Sequence, residues 1–278
     1  MHFTKMHGCG NDYIYVNGAD EHVEGKPEAA RILSDRHFGI GSDGLIFINP
    51  SDKADFEMEM YNADGSRAEM CGNGIRCVGK YVSDHGMTGS DTVGIETLAG
   101  IKTLQLTKEG GKVKSVRVDM GEPVFEADRI PVLSEHSTVI SQPITVSGKK
   151  YEITAVSMGN PHCVVFMDDI ENLNIESTGP AFECHESFPK KINTEFVSVS
   201  DRHHVLMRVW ERGSGETLAC GTGACAAVAA GVLNGLTERN VTVKLLGGVL
   251  EVEYSESDGH VYLTGNAVTV FEGDTVLV

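Results

Sequence analysis

The sequence predicts an α+β fold built from two similar lobes, each with strands wrapped around a central helix. An internal repeat is the first reason: EMYNADGSRAEMCGNG (59–74) aligns without a gap with RVWERGSGETLACGTG (208–223), which places Cys71 over Cys220. So long a period is typical of duplicated lobes and not of a solenoid unit. The second reason is the uncharged run that follows Cys220, because a helix that is apolar on all sides must be enclosed, most simply by strands.

The separation of Cys71 and Cys220, 149 residues, recurs along the chain. At this offset short turn sequences align just before β-type runs: Gly10-Asn11 with Gly159-Asn160, and Gly44 with Asn193. ETLAGIK (96–102) also resembles KLLGGVL (244–250) after a slip of one residue. We expect the seam near Gly110-Gly111, and lobes of residues 1–114 with 267–278 and of residues 115–266, because the strand-like tail VTVFEGDTVLV can return to the first lobe.

Both halves predict the same order of elements: an extended run, a helix, two strands, and then the cysteine turn with its own helix. In the first half the predicted ranges are 14–16, 27–37, 45–48 and 56–61. In the second half they are 164–167, about 180–186, 195–199 and 205–211. Four residues support the helix ends, with prolines in first turns and glycines after last turns: Pro27, Pro180, Gly86 and Gly235.

Composition excludes several classes of function. The chain has 278 residues, 41% of them hydrophobic, and a formal net charge of -17. Such an acidic protein is unsuited to binding nucleic acid or an anionic membrane, since both require clustered Lys and Arg. The N-terminus contains no signal-peptide core, and the apolar run 224–233 is too short to span a bilayer. We expect a cytoplasmic protein with a small-molecule partner and neither nucleic-acid nor membrane partners.

The cysteines favour neither a disulfide framework nor a zinc site, because there are seven of them and none forms a CxxC pair. We therefore expect no metal. Cys77 and Cys225 lie well inside their predicted helices and are interpreted as packing residues. Cys71 and Cys220 differ, since each stands directly before a helix at matching positions of the repeat.

A cysteine at this position meets free backbone N–H groups and the positive end of the helix dipole, which stabilise a thiolate. The glycine after it lets an anion such as a carboxylate reach the next N–H groups. Inversion at a carbon beside a carboxylate needs one group to remove a proton from one face and another to supply a proton to the opposite face. Cys71 and Cys220 are therefore predicted to be an acid/base pair.

Three competing motifs are less convincing. GIGSDG (39–44) matches GxGxxG but follows a helix and precedes a strand, the reverse of a dinucleotide fingerprint. GTGACA (221–226) opens a helix, yet a long loop separates it from the preceding strand. Cys71 with Arg76 is similar to a phosphatase loop, but only four residues intervene where that signature has five.

Taken together, GCGND (8–12), MCGNG (70–74), MGNPH (158–162), WERGSGET (210–217) and ACGTG (219–223) closely resemble the diaminopimelate epimerase family, over essentially the whole chain. The resemblance implies two pseudo-symmetric lobes, each a mostly antiparallel, barrel-like sheet around a central helix, with the active site in the cleft between them. It also implies interconversion of LL- and meso-diaminopimelate without metal, pyridoxal phosphate or other cofactor, on the route to lysine and peptidoglycan. A homodimer is compatible with it.

The resemblance assigns roles to individual residues. Cys71 and Cys220 become the acid and base, and His162 and Glu211 match residues that adjust the cysteine pKa values. Arg212 can hold a distal carboxylate bidentately, and Glu211 can pair with an ammonium. The matching substrate-binding positions are Asn11, Asn62, Gly72, Asn73, Asn160, Asn193, Glu211, Arg212, Gly221 and Thr222. Several relatives carry glutamine where this chain has Gly44, so no side-chain contact is assigned there.

Two alternatives remain open at this point. A proline racemase or hydroxyproline epimerase shares the paired cysteines, but its substrate has no second amino acid end, which leaves Glu211, Arg212 and the asparagines without a purpose. A non-catalytic thiol or carboxylate-binding protein would bind diaminopimelate without exchanging its α-hydrogen with solvent.

Overall fold

The computed structural model describes residues 1–276 and divides into two compact units. One unit comprises Met1–Val118 with the segment from Thr264 onward, and the other comprises Asp119–Leu263. The sequence placed these boundaries at 114/115 and 266/267, and its first lobe included residues 277 and 278, which lie outside the described residues. Gly110 and Gly111, the expected seam, form the turn of a hairpin within the first unit.

The elements of the chain up to the first boundary contain two helices and eight strands. They are β1 (His2–Gly8), β2 (Asn11–Asn17), α1 (Lys26–Ser34), β3 (Gly44–Asn49), β4 (Phe56–Asn62), β5 (Arg67–Ala68), α2 (Gly72–Asp84), β6 (Thr92–Thr97), β7 (Gly100–Glu109) and β8 (Lys112–Asp119).

The remaining elements repeat this pattern and then add a last strand. They are β9 (Gln142–Val146), β10 (Lys149–Ser157), β11 (Pro161–Phe166), α3 (Ile175–Glu183), β12 (Asn193–Asp201), β13 (His204–Glu211), β14 (Gly215–Thr217), α4 (Gly221–Leu233), β15 (Asn240–Leu245), β16 (Gly248–Tyr254), β17 (Val261–Asn266) and β18 (Val268–Asp274). The last strand, β18, pairs antiparallel with β1 in the first unit.

Strand pairing within the two units follows one scheme. In the first unit β2–β3 and β4–β6 are parallel, while β1–β2, β3–β4, β6–β7 and β7–β8 are antiparallel. In the second unit β11–β12 and β13–β15 are the parallel pairs, and β9–β10, β10–β11, β12–β13 and β15–β16 are antiparallel. The predicted α+β class with mostly antiparallel sheets is confirmed.

Register repeats at the level of single residues. Tyr13 lies opposite Gly44 across the β2–β3 pair, and His162 lies opposite Asn193 across β11–β12, at the same offset of the sequence repeat. Equivalent positions in the two units can therefore be compared directly.

Helices α2 and α4 are the central helices of their units. Helix α2 packs against β1, β2 and β7, and α4 packs against β10, β11, β12 and β16. Residues 223–231 of α4 are all buried, as its uncharged sequence requires. Cys77 and Cys225 are fully buried within these helices and pack in the core, as predicted.

No helix among residues 1–276 is long and apolar enough to cross a membrane.

Two predicted helix boundaries are wrong. Helix α1 ends at Ser34 and not at residue 37, whereas α3 begins at Ile175, five positions before the expected start. The Asn174 side chain accepts a hydrogen bond of 3.2 Å from the Ser177 backbone N–H and so caps α3. Pro180 consequently lies inside the helix, because the cap at Asn174 determines the start and the proline does not.

The packing of α3 on β13 leads to the first prediction. A Cβ at Gly179 would overlap the Trp210 indole, reaching within 2.6 Å of its Cε3 atom. We expect Gly179→Ala to lower the free energy of unfolding by about 1–3 kcal/mol, as overpacking does in a dense core. Denaturant unfolding followed by circular dichroism measures this change.

Gly89→Ala is the matched control, since nothing lies within 4 Å of its Cβ position. Equal stability of the two variants would contradict the tight packing of Trp210 on α3.

Candidate active site

Cys71 is the N-cap of α2. Its backbone is extended, with φ -133° and ψ 119°, and the Gly74 N–H donates to its sulfur at 3.3 Å. A sulfur here replaces the hydroxyl or carboxylate oxygen that usually caps a helix. The thiol consequently faces the positive end of the α2 dipole.

Asn11 and Tyr13 on β2 surround this thiol. The Cys71 thiol donates to Asn11 Oδ1 at 3.2 Å, and Asn11 Nδ2 donates to Asp43 Oδ2 at 2.7 Å. Asp43 is in turn held by Arg36 at 2.9 Å, which fixes the orientation of the asparagine amide. Asn11 thus contacts the Cys71 sulfur directly.

Tyr13 was not predicted from the sequence. It is buried, and its hydroxyl hydrogen-bonds with the Asn11 side chain and the Cys71 thiol. Burial, followed by the negative charge of a Cys71 thiolate, raises the pKa of Tyr13 well above its ordinary value. The repeat aligns Tyr13 with His162, and this was the available signal.

The Tyr13 ring also accounts for the glycine at position 44. A Cβ on Gly44 would lie 2.9 Å from Tyr13 Cε1 and would overlap the Tyr61 carbonyl oxygen. There is no room for a side chain at this position.

Arg76 is a structural residue in the first turns of α2. It is fully buried and donates to the Gly72 carbonyl and to Asn73 Oδ1, both at 3.0 Å, and to the Asn266 carbonyl at 3.3 Å. These contacts are internal to the protein, and they discount the phosphatase-like interpretation. The hydrogen bond from Arg76 to Asn73 Oδ1 also orients the Asn73 side-chain amide.

Asn62 lies at the end of β4, opposite Gly44 across the β3–β4 pair. Its Nδ2 donates to Ser66 Oγ at 3.0 Å. The equivalent position of the second unit is Glu211, at the end of β13.

Cys220 caps α4 in the same way as Cys71 caps α2. Its backbone has φ -118° and ψ 113°, the Gly223 N–H donates to its sulfur at 3.4 Å, and Thr222 Oγ1 lies 3.5 Å from the sulfur. Only 5% of Cys220 is exposed, and Gly221 beside it is also buried.

The surroundings of Cys220 change the pKa of its thiol in the direction opposite to the one that the sequence predicts. Burial raises the pKa of Cys220 well above its ordinary value, and the negative charges of Glu211 and Glu195 raise it further. The hydrogen bonds from Thr222 and Gly223 act in the opposite direction but are smaller effects. Helix position alone predicted a stabilised thiolate, whereas burial and the two carboxylates raise the pKa and favour the protonated thiol.

Side chains from β11 and β12 form a hydrogen-bonded series that reaches Cys220. His162 Nδ1 is 2.7 Å from Glu195 Oε1, and His162 Nε2 is 2.9 Å from Asn160 Oδ1. Asn160 Nδ2 donates to Thr222 Oγ1 at 3.3 Å. The structure thus brings together three predicted residues, Asn160, His162 and Thr222. It adds Glu195, which the sequence reasoning missed.

Glu211, Asn193 and Arg212 form the neighbouring part of the site. Thr217 Oγ1 donates to Glu211 Oε1, and burial raises the pKa of Glu211 above its ordinary value. Asn193 is buried, donates to the Pro161 carbonyl at 2.8 Å and accepts from the Arg212 backbone N–H at 2.9 Å. Asn193 therefore holds the backbone of the Glu211-Arg212 turn.

The Arg212 side chain is exposed, and its Nη1 donates to the Lys190 carbonyl at 3.2 Å. Its guanidinium can still donate hydrogen bonds to a carboxylate, because it has five N–H donors in all. Within residues 1–276, no group of three or more His, Cys, Asp or Glu side chains is arranged to hold a metal ion.

The charges around Cys220 lead to the second prediction. Replacing Glu211 with glutamine removes a negative charge that opposes ionisation of the Cys220 thiol, so the pKa of that thiol should fall. We expect Glu211→Gln to shift the pH midpoint for iodoacetamide alkylation of Cys220 to lower pH. Peptide-level mass spectrometry distinguishes Cys220 from the exposed Cys184.

Glu216→Gln is the matched control, because Glu216 pairs with Arg208 at 2.7 Å and is not among the groups that act on Cys220. An unchanged midpoint in Glu211→Gln would contradict the electrostatic role of Glu211.

Known proteins resemble this chain along almost its whole length. A family model described as diaminopimelate epimerase matches residues 3–126 and 154–270. The diaminopimelate epimerase of Acetivibrio thermocellus is 58% identical over 277 residues, covering 100% of this chain and 99% of that protein. The diaminopimelate epimerase of Methanococcus maripaludis is 59% identical over 274 residues, covering 99% of each.

Among solved structures, a hydroxyproline epimerase from Agrobacterium vitis is similar with a TM-score of 0.68, covering 98% of this chain and 90% of that chain. Its sequence is 15% identical, so this likeness concerns the fold alone. The matches above 50% identity extend over almost the whole chain, and they show the family. The chain belongs to the diaminopimelate epimerase family.

Proposed function

We propose that this chain interconverts LL- and meso-diaminopimelate by a two-base cysteine mechanism that uses neither metal nor pyridoxal phosphate, supplying lysine and peptidoglycan precursors. The observation that carries the proposal is the pair of cysteine N-caps. Each sulfur accepts from a first-turn N–H, and each is followed by Gly and then by Asn or Thr. Membership of the family supplies the substrate.

Proton balance defines what the two thiols do. In one direction the Cys71 thiolate takes the α-proton, the electrons of the C–H bond pass to the carbon and its carboxylate, and the Cys220 thiol delivers a proton to the opposite face. The reverse reaction exchanges the two roles. The raised pKa of Cys220 supports its part as the resting proton donor.

Backbone N–H groups bind the reacting carboxylate in this proposal. Those of Gly72-Asn73 and Gly221-Thr222 lie in the first turns of α2 and α4, at the positive ends of the helix dipoles. Negative charge that develops on the carboxylate is stabilised by the same groups.

The remaining predicted residues bind the rest of the substrate. Arg212 is assigned to the distal carboxylate and Glu211 to an ammonium group. Four asparagines complete the set of assigned residues: Asn11, Asn62, Asn160 and Asn193. The buried placement of Asn193 supports an indirect part for it, through the Arg212 turn.

Proline racemisation is the alternative reaction, and the charged pair Glu211-Arg212 argues against it because proline has no second charged end. A non-catalytic binding protein is the alternative of another class. Incorporation of solvent deuterium at the α-carbon of diaminopimelate separates catalysis from binding, because binding alone leaves the C–H bond intact.

We further propose that the enzyme acts in the cytoplasm and forms a homodimer. The exposed apolar side chains of Val270 and Phe271 on β18 support a surface for a second copy.

The third prediction tests the acid/base pair. We expect Cys71→Ala and Cys220→Ala each to reduce epimerisation by about 100- to 10,000-fold, because a two-base inversion has no substitute for a missing partner. The measurement is the rate of LL-to-meso conversion, with circular dichroism as a check of folding. Cys184→Ala, at an exposed cysteine, is the control that should retain full activity. Near-normal turnover by folded Cys71→Ala or Cys220→Ala would remove that cysteine from the mechanism.

The fourth prediction tests substrate specificity. Losing a charged contact to the distal carboxylate should cost about 2–5 kcal/mol of transition-state binding, so Arg212→Ala should lower kcat/KM for diaminopimelate accordingly. Arg202→Ala is the control, because Arg202 is an exposed arginine paired with Glu238 at 2.7 Å. Turnover of proline at a rate comparable with diaminopimelate would show that the substrate is assigned incorrectly.

A further inference from the structure

Glu195 on β12 is a buried carboxylate that the reaction described above does not use. It is fully buried, one oxygen bonds to His162, and its Oε2 atom has no hydrogen-bond partner among the described residues. Burying a carboxylate with one oxygen unpaired is unfavourable, and such groups concentrate at functional sites. Its function should therefore be sought in the groups that it contacts.

We propose that Glu195 is a positioning residue for the Cys220 thiol, acting through His162, Asn160 and Thr222. This inference rests on the proposed function, in which Cys220 exchanges a proton with the substrate. It adds to that function a group that touches neither the substrate nor the reacting sulfur.

The series of contacts fixes each side chain through the one before it. Glu195 Oε1 is 2.7 Å from His162 Nδ1, so the far ring nitrogen, Nε2, is directed at Asn160 Oδ1, 2.9 Å away. With its oxygen engaged, Asn160 presents its Nδ2 to Thr222 Oγ1 at 3.3 Å. Thr222 Oγ1 is 3.5 Å from the Cys220 sulfur. The rotamers of three side chains beside the thiol therefore depend on one carboxylate.

Glu195 also lies against the helix turn that carries the thiol. A Cβ at Gly223 would be 2.6 Å from Glu195 Oε1, so only glycine leaves room for this carboxylate. The same Gly223 donates its N–H to the Cys220 sulfur at 3.4 Å. The carboxylate thus contacts the first turn of α4 from the side of the sheet.

The first unit shows that the fold does not need a carboxylate here. At the repeat offset Glu195 aligns with Ile46, whose Cδ1 is 3.0 Å from the Cβ position of Gly74 in the equivalent turn of α2. An apolar side chain fills this place in one unit and a carboxylate fills it in the other. Since the packing problem is the same, the charge of Glu195 requires a reason other than packing.

Several titratable groups face Glu195 from the elements around it. They are His162 and Cys163 on β11, Glu211 on β13 and Cys220 at the start of α4. Burial is the largest cause of the raised pKa of Cys220, Glu211 is the next, and the negative charge of Glu195 is the third. For Cys163, burial is the largest cause of the raised pKa and Glu195 is the second. Besides orienting the series, Glu195 therefore favours the protonated form of the Cys220 thiol.

The first test uses Glu195→Gln, which keeps the shape and an oxygen acceptor but removes the charge. We expect kcat for diaminopimelate to fall on the order of 10- to 100-fold, the effect of losing a hydrogen bond to a charged group. KM should change little, because Glu195 does not contact substrate. We also expect the pH midpoint for alkylation of Cys220 to move to lower pH, as measured by peptide-level mass spectrometry.

Glu183→Gln is the matched control, since Glu183 is a buried carboxylate of the same unit that binds Trp210 Nε1 at 2.8 Å and Lys191 at 2.9 Å. It is not among the groups that act on Cys220, so the alkylation midpoint should stay unchanged. A general effect of removing any buried charge from this unit would instead move both midpoints and would overturn the proposal.

A double-mutant cycle tests the route through His162. If Glu195 acts through this ring, Glu195→Gln combined with His162→Gln should be no slower than His162→Gln alone. Additive losses in kcat would overturn the proposed route. Glu195→Asp is the second variant if the glutamine variant does not fold: it retains the charge but draws it back from Nδ1, so kcat should fall while the alkylation midpoint stays near the wild-type value.

The outcomes also separate this inference from the proposed function. A wild-type enzyme that exchanges no α-hydrogen, or a fully active Cys220→Ala variant, contradicts the two-base mechanism itself. An active wild type whose Glu195→Gln variant keeps both its kcat and its alkylation midpoint contradicts only the part assigned to Glu195.

Discussion

The first N–H groups of a helix need acceptors, and in both units of this protein a cysteine sulfur provides one. Cys71 accepts from Gly74 and Cys220 accepts from Gly223, each in extended backbone directly before a central helix. This one constraint sets where the thiol points and places the next two residues in the first turn of the helix, at the positive end of its dipole. Each helix N-terminus adjoins the glycines of its cysteine turn, the enclosing strands and the polar residues at the strand ends.

The two caps share a backbone but not an electrostatic environment. Around Cys71 lie the neutral amide of Asn11 and the hydroxyl of Tyr13, whereas Cys220 lies near the carboxylates of Glu195 and Glu211. Such negative charge opposes ionisation of Cys220, and its burial does so as well. In the proposed reaction one thiol removes a proton and the other supplies one, so the two must start in opposite protonation states. Duplication supplies the equal geometry, and substitution at a few strand positions supplies the difference.

The internal repeat and the helix patterns were enough to predict the positions of the two cysteine turns and the enclosure of α4. The ungapped alignment around Cys71 and Cys220 located both helix termini, and the uncharged α4 sequence required enclosure, because each of these features depends on local residue chemistry. The start of α3 was mistaken, since Pro180 is a frequent first-turn residue and the cap at Asn174 is a weaker signal. Glu195 was missed because one glutamate in an apolar strand cannot be distinguished by sequence from a residue with an exposed side chain. Only the fold shows that it lies between His162 and Gly223.

Comparison of equivalent positions shows how far a shared backbone can be specialised. Arg76 in the first turns of α2 aligns with Cys225 in α4, and both are fully buried in their units. Arg76 uses its donors on neighbouring carbonyls and on Asn73, so it orients the residue after the cysteine turn from within the helix. In the second unit the corresponding residue, Thr222, is oriented from the sheet through Asn160 and His162. The equivalent residues Asn73 and Thr222 are therefore oriented by different elements, the first from within its helix and the second from the sheet. The group that does so is a cation in the first unit and, through His162, a carboxylate in the second.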